Sequence, residues 1–138
     1  MATAFLDTNV FLYAAGQAHP EREPCRRLLE AVAEGEILAT TSIEVVREIL
    51  YVLARRDETA RGVALARGVL RLLPGLLPVT PAEIAVACDL LAKHPGLPAR
   101  DAVHAATMRN RGLELLVSAD PHFDAIAWIQ RLDPASAG

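Results

Sequence analysis

The run Phe5-Leu6-Asp7-Thr8-Asn9-Val10-Phe11-Leu12-Tyr13-Ala14 changes character at its third residue. Before Asp7 lies a short apolar segment, Ala4–Leu6, of the kind that makes a strand buried on both faces. After it, Asn9–Ala15 suits one or two helical turns, and a carboxylate at the join is an ordinary N-cap. The same alternation returns along the chain. Glu23–Glu34 carries Leu28, Leu29 and Val32 at helical spacing and stops at Gly35, and Ile37–Thr40 follows as a second strand. Ser42 is a good N-cap for a helix to about Arg56, and Thr59 opens another that ends near Pro74. Leu76–Val79 is a weak third strand. Thr80-Pro81-Ala82-Glu83 combines a cap, a first-turn proline and a capping-box acid, opening a helix to about Lys93. Pro98–Arg111 is a further helix, stopped by Gly112. Leu113–Val117 is a fourth strand, Asp120–Asp124 a short helical turn and Ala127–Ile129 a last strand. Short apolar strands between amphipathic helices predict an α/β fold, a parallel sheet covered on both faces. No linker or repeat divides the 138 residues, so 1–138 is expected to be a single domain.

Composition narrows the function. A hydrophobic content of 52% with 22% charged residues excludes a largely disordered chain. Aromatic residues make up only 4%, which disfavours binding nucleic acid by base stacking. The net charge of −3 argues against a coat protein that holds nucleic acid by general electrostatics. It does not argue against an enzyme whose acids hold divalent cations, because the ions reverse the local sign. Cys25 and Cys88 match no metal or redox spacing and are expected to be two buried thiols of a reducing compartment. The N-terminus meets an acid too early for a signal peptide, and no apolar run spans a bilayer. A soluble cytoplasmic protein is expected, with no membrane partner.

Chemistry in such a sheet is sought beyond the carboxyl ends of its strands, near the switch in strand order. Asp7 and Asp120 both stand at or just past a predicted strand end, and Asp101 opens a helix whose N-terminus can face the same edge. Each has a plain structural use: Asp7 as an N-cap, Asp120 as a cap before Pro121, Asp101 as a first-turn acid favoured by the helix dipole. Capping alone, however, does not predict that separate elements converge. Carboxylates crowded together repel, and a hard divalent cation relieves that repulsion. Glu48 lies at the rim of the apolar arc of its helix, about 40° from Val52 at roughly 100° per residue, where an acid can reach a cleft floor. A solvated acid paired with Arg47 or Arg55 is the alternative. Asp124, one turn after Asp120, is either an outer ligand through water or a surface acid. Thr8, Asn9 and Ser118 stand to orient the carboxylates or a bound water, or to satisfy turn backbone groups. His104, three residues after Asp101, is expected to be a hydrogen-bonded, partly buried histidine. No paired histidines, Cys-x-x-Cys, P-loop or nucleophile elbow supports zinc, nucleoside triphosphate or serine chemistry.

With those residues placed, the sequence resembles the PIN-domain nuclease family, and more narrowly the VapC-type toxins of bacterial toxin–antitoxin pairs. FLDTNVFLYA resembles the first family motif and contributes Asp7. VVREILYVLARR resembles the second, with Glu48, LPARDAVHAATMRNRG the third, with Asp101, and LVSADPHFDAI the fourth, with Asp120 and Asp124 behind it. A closing RLDP also fits, and the likeness spans nearly the whole chain. Ser118 stands where the family often has threonine, which keeps the hydroxyl. The resemblance implies a three-layer α/β/α PIN fold with a parallel sheet of four to five strands. It also implies Mg²⁺ or Mn²⁺ held by Asp7, Glu48, Asp101 and Asp120, hydrolysis of RNA by an activated water, homodimers, and inhibition by a small antitoxin. Arginines that border the cleft would position RNA phosphates. Two alternatives stay open: a module of the same fold that binds RNA or a partner without turnover, and a phosphatase of the haloacid-dehalogenase kind. The latter wants a second aspartate where Asn9 stands.

Overall fold

The computed structural model describes residues 2–137. Its centre is a four-stranded parallel sheet in the order β2-β1-β3-β4, built from β1 (Ala4–Leu6), β2 (Ala39–Thr40), β3 (Leu115–Val117) and β4 (Gln130–Leu132). Register is set by Phe5 opposite Thr40 on one side and Leu116 on the other, and by Leu116 opposite Arg131. Consecutive residues of β1 are all buried, as a strand covered on both faces requires. The helices are α1 (Thr8–Ala15), α2 (Arg22–Ala33), α3 (Ile43–Arg55), α4 (Thr59–Leu72), α5 (Pro81–Lys93), α6 (Ala99–Asn110) and a short α7 (Pro134–Ala137), with a 3₁₀ helix at Pro121–Ala125. The result is a three-layer α/β/α domain. Its core joins Phe5, Phe11, Phe123, Leu28, Ile49, Met108 and Leu116, so all three phenylalanines are spent inside.

Local signals place most elements where the sequence puts them. Ser42 caps α3 by accepting from the Val45 N–H, and Thr80 and Glu83 form the capping box of α5. Gly112, at φ +68°, turns the chain out of α6. Two strand assignments need correction. Leu76–Val79 is not a strand: Leu77 alone bridges to Ser42, and Pro78 has no N–H with which to continue the ladder. The last strand is Gln130–Leu132 rather than Ala127–Ile129, drawn there by pairing with β3 and by the ion pairs of Arg131. Cys25 is buried as expected, but Cys88 is exposed on α5. Among the described residues no helix is long and apolar enough to cross a membrane.

The chain runs from β1 outward to β2 and later returns to the other side of β1 as β3. The switch in strand order therefore falls between β1 and β3, and their carboxyl ends open the crevice. Asp7 follows β1 there, Ser118 follows β3, and the Asp7 N–H donates to the Val117 carbonyl across the gap.

Candidate active site

Asp7 is the N-cap of α1 and at the same time part of a cluster. Its Oδ1 accepts from the Thr8 N–H at 2.8 Å, and its Oδ2 accepts from the Ser118 hydroxyl at 2.7 Å. Asn9 donates through Nδ2 to the same hydroxyl oxygen, so one serine ties the ends of β1 and β3 together. Asp120 likewise caps the 3₁₀ helix through the His122 N–H, and its carboxylate also lies 3.0 Å from the His122 Nδ1. The capping roles and the clustering are thus both real.

Glu48 is buried on the core side of α3, not solvated beside Arg55. Its Oε1 accepts from the Thr8 hydroxyl at 3.0 Å and meets the His104 Nε2 at 2.9 Å, while its Oε2 faces the Arg100 Nε at 3.3 Å. His104 is fully buried under the site, and its hydrogen bond runs to Glu48 rather than to Asp101. Burial opposes its protonation, but the Glu48 hydrogen bond and the charges of Asp7, Glu48 and Asp101 outweigh that and raise its pKa. The same bond offsets the burial of Glu48 and holds that carboxyl below its usual range.

Asp7 and Asp101 are pushed the other way. Burial raises the pKa of Asp7, and burial together with the facing charge of Asp7 lifts Asp101 to about 6. The buried Oδ2 of Asp101 has no hydrogen-bond partner in the protein. Donor atoms of Asp7, Asp101 and His104 lie within 4.8 Å of one another, as do those of Asp101, Asp120 and His122. Asp101 is common to both sets. An unsatisfied carboxylate oxygen among like charges is what a hard divalent cation would relieve, and oxygen donors suit Mg²⁺ or Mn²⁺. The donor set fits such an ion. Glu48 stands outside both sets and borders them.

These groups open on a cavity of about 660 Å³ walled by Leu12, Tyr13, Arg47, Tyr51, Arg56 and Arg100. Of the four expected acids, Asp7, Glu48, Asp101 and Asp120 all reach it, and so do Thr8 and Asn9. Of the two readings of Asp124, an outer ligand or a surface acid, the structure agrees with the second: it is exposed, and both its oxygens are held by Arg131 at 2.8 and 3.1 Å. Arg131 also donates to the Ser118 carbonyl and to Asp133, so this pair ties down the loop that carries Asp120. Two residues went unassigned from sequence, Arg100 and His122. The signal for Arg100 was available: a cation in the first turn of a helix opposes the dipole.

The PIN-domain family model matches residues 4–129. The chain belongs to the PIN-domain family. Among relatives of this PIN domain, ribonuclease VapC7 of Mycobacterium tuberculosis is 40% identical over 138 residues, covering 96% of this chain and 92% of that one. The fold is similar to that of VapC20 from Mycobacterium tuberculosis, described as a sarcin-ricin loop cleaving toxin. That match has a TM-score of 0.77 and 23% identity, covering 91% and 96% of the two chains. VapBC-5 of the same organism, from the VapBC family of toxin–antitoxin systems, matches at TM-score 0.63 and 21% identity over 96% and 99%.

Proposed function

We propose that this PIN domain is a ribonuclease that hydrolyses RNA phosphodiester bonds with Mg²⁺ or Mn²⁺, as the toxin of a toxin–antitoxin pair. The observation that carries this reading is that Asp7, Asp101 and Asp120 line one cavity, with a buried Asp101 oxygen left without a partner. The named activity of the 40%-identical relative supports the same chemistry and substrate.

Asp7, Asp101 and Asp120, with Glu48 beside them, would hold the cation. When bound, the ion supplies positive charge against the carboxylates and the phosphodiester and acidifies water. The protein's own contribution is order. Thr8 and Ser118 fix the two oxygens of Asp7, and His104 and Thr8 fix Glu48, so the carboxylates do not reorganise as charge develops. One of these carboxylates accepts the proton of the attacking water. In-line attack on phosphorus then leaves a 5′-phosphate and a 3′-hydroxyl.

Purified Asp7→Asn should fold as the wild type does by circular dichroism and lose RNA cleavage by about a hundredfold or more. Full activity in that variant would remove the assignment. A module that binds without cutting would show affinity for RNA and no metal-stimulated product. The VapBC neighbour is a toxin–antitoxin system, and a small antitoxin protein is proposed as partner on that likeness. A short antitoxin-like reading frame immediately upstream is the simplest check.

A further inference from the structure

Helix α6 opens with a residue that its own backbone disfavours. Arg100 is the second residue of the helix, where exposed N–H groups and the dipole favour an anion such as Asp101 and oppose a cation. Local conflicts of this kind are expected where function rather than stability sets the residue. Most other arginines around the site have structural employment, and Arg56, which also lines the cavity, forms no ion pair with its acids among the described residues. Arg26 and Arg61 bond the carbonyls of Ala14 and Ala15 at the end of α1, Arg47 pairs with Glu44, and Arg131 holds the Asp120 loop. Arg100 instead leans on the site itself. Its side chain is 53% exposed, lines the acidic cavity, and brings Nε to 3.3 Å from Glu48 Oε2 and 3.8 Å from Asp101 Oδ1.

We propose that Arg100 is a substrate-phosphate ligand freed by the metal: its guanidinium neutralises Glu48 and Asp101 in the metal-free protein and turns outward to grip an RNA phosphate once a divalent cation takes those charges. The proposal rests on the ribonuclease reading for its substrate. A guanidinium and a divalent cation drawn to the same carboxylates weaken each other's hold. Arg100 has the exposure and the long stem to leave, and the planar fork of its donors matches phosphate. Metal and RNA then bind with positive coupling, part of it carried by this one side chain.

The test uses Arg100→Ala and Arg100→Lys in the full chain. Mg²⁺ binding is measured by calorimetry without RNA. Binding of a labelled mixed-sequence RNA oligonucleotide is measured by stopped-flow anisotropy, with and without Mg²⁺, across a salt series, in the interval before product forms. Arg100→Ala should bind Mg²⁺ about two- to fivefold tighter, because a partly exposed competitor is gone. It should bind RNA in Mg²⁺ about five- to tenfold weaker, with the salt slope reduced by about 1. Arg100→Lys should fall between it and the wild type in both. Unchanged or weaker Mg²⁺ binding in Arg100→Ala overturns the proposal, and so does unchanged RNA affinity and salt slope. A parallel loss of both affinities with a lower melting temperature marks a structural role and also overturns it. Cleavage of the same RNA by the wild type is followed alongside. Failure to cleave would count against the ribonuclease reading alone, because the opposed shifts are read without turnover.

Discussion

Helix α6 has a carboxylate at each end, and the two live in opposite circumstances. At its C-terminal end Asn110 donates to Glu83, which is also bonded by the N–H and hydroxyl of Thr80. At its N-terminal end Asp101 faces Asp7 and leaves one buried oxygen without a partner. Both acids hold the third position of their helices, where an anion is welcome. The hydrogen bonds from Asn110 and Thr80 pull Glu83 down to about 2, whereas burial and the charge of Asp7 push Asp101 up to about 6. Helix position therefore does not decide what an acid does. A carboxylate whose two oxygens are both met by neutral hydrogen-bond donors serves the fold, and one left short among like charges is available to a ligand.

The largest effect should come from Asp101→Asn. For Asp101 the folded-state value is raised, so its ionisation opposes folding fully above about 6 and not at all below the ordinary 3.8. Removing the charge should stabilise the metal-free protein at neutral pH by on the order of 2–3 kcal/mol and flatten its stability between those two pH values. The same variant should lose most of the stabilisation that added Mg²⁺ gives the wild type, and should lose RNA cleavage by about a hundredfold. Urea unfolding with and without Mg²⁺ reads the first two effects. A metal-free Asp101→Asn less stable than the wild type would show that the crowding has been misjudged.

Glu83→Gln should do the reverse. The folded-state value of Glu83 is lowered, so its carboxylate stabilises the fold above the ordinary 4.5 and loses that contribution as the pH falls toward about 2. The variant should be less stable than the wild type at neutral pH, and the two unfolding curves should converge as the solution is acidified through that window. RNA cleavage and Mg²⁺ affinity should not change. A stability difference that persists undiminished at pH 2 would mean that the carboxylate charge is not what holds the cap.

Parts of the molecule that depend on neighbours in sequence were legible, and parts that depend on distant partners were not. The caps at Ser42 and Thr80 are local chemistry written in three or four residues, and they fall where expected. Asp7 and Asp120 were readable because strand ends in a parallel sheet share one edge, and Asp101 because the helix it opens starts at that edge. Glu48 was readable because helical phase fixes the face on which a residue lies. The last strand was misplaced because the apolar run at Ala127–Ile129 looks more strand-like than Gln130–Leu132, whose position is fixed by β3, Asp124 and Asp133. The weak strand at Leu76–Val79 fails at Pro78, a signal that was present. Asp124 adjoins Asp120 in sequence, but its partner Arg131 lies beyond a turn whose path periodicity does not give. Arg100 stands outside the basic stretches of the first half of the chain, and its signal is the helix end on which it stands.

Thr80→Ala should give the smallest effect and the sharpest contrast. The Thr80 hydroxyl accepts from the Ala82 N–H and donates to Glu83, so its loss leaves one helix-end donor to water and one carboxylate bond unmade. Loss of such an N-cap costs about 1 kcal/mol. The Asp101 end of α6 shares no hydrogen bond with this cap, so Mg²⁺ affinity and RNA cleavage should stay at wild-type values while the unfolding midpoint falls. Change at Asp101 should thus trade stability gained for function lost, and change at Thr80 should cost stability alone. If Thr80→Ala lowered Mg²⁺ affinity as well, the two ends of α6 would be coupled through the helix, and the division between a fold-serving acid and a ligand-serving acid would fail.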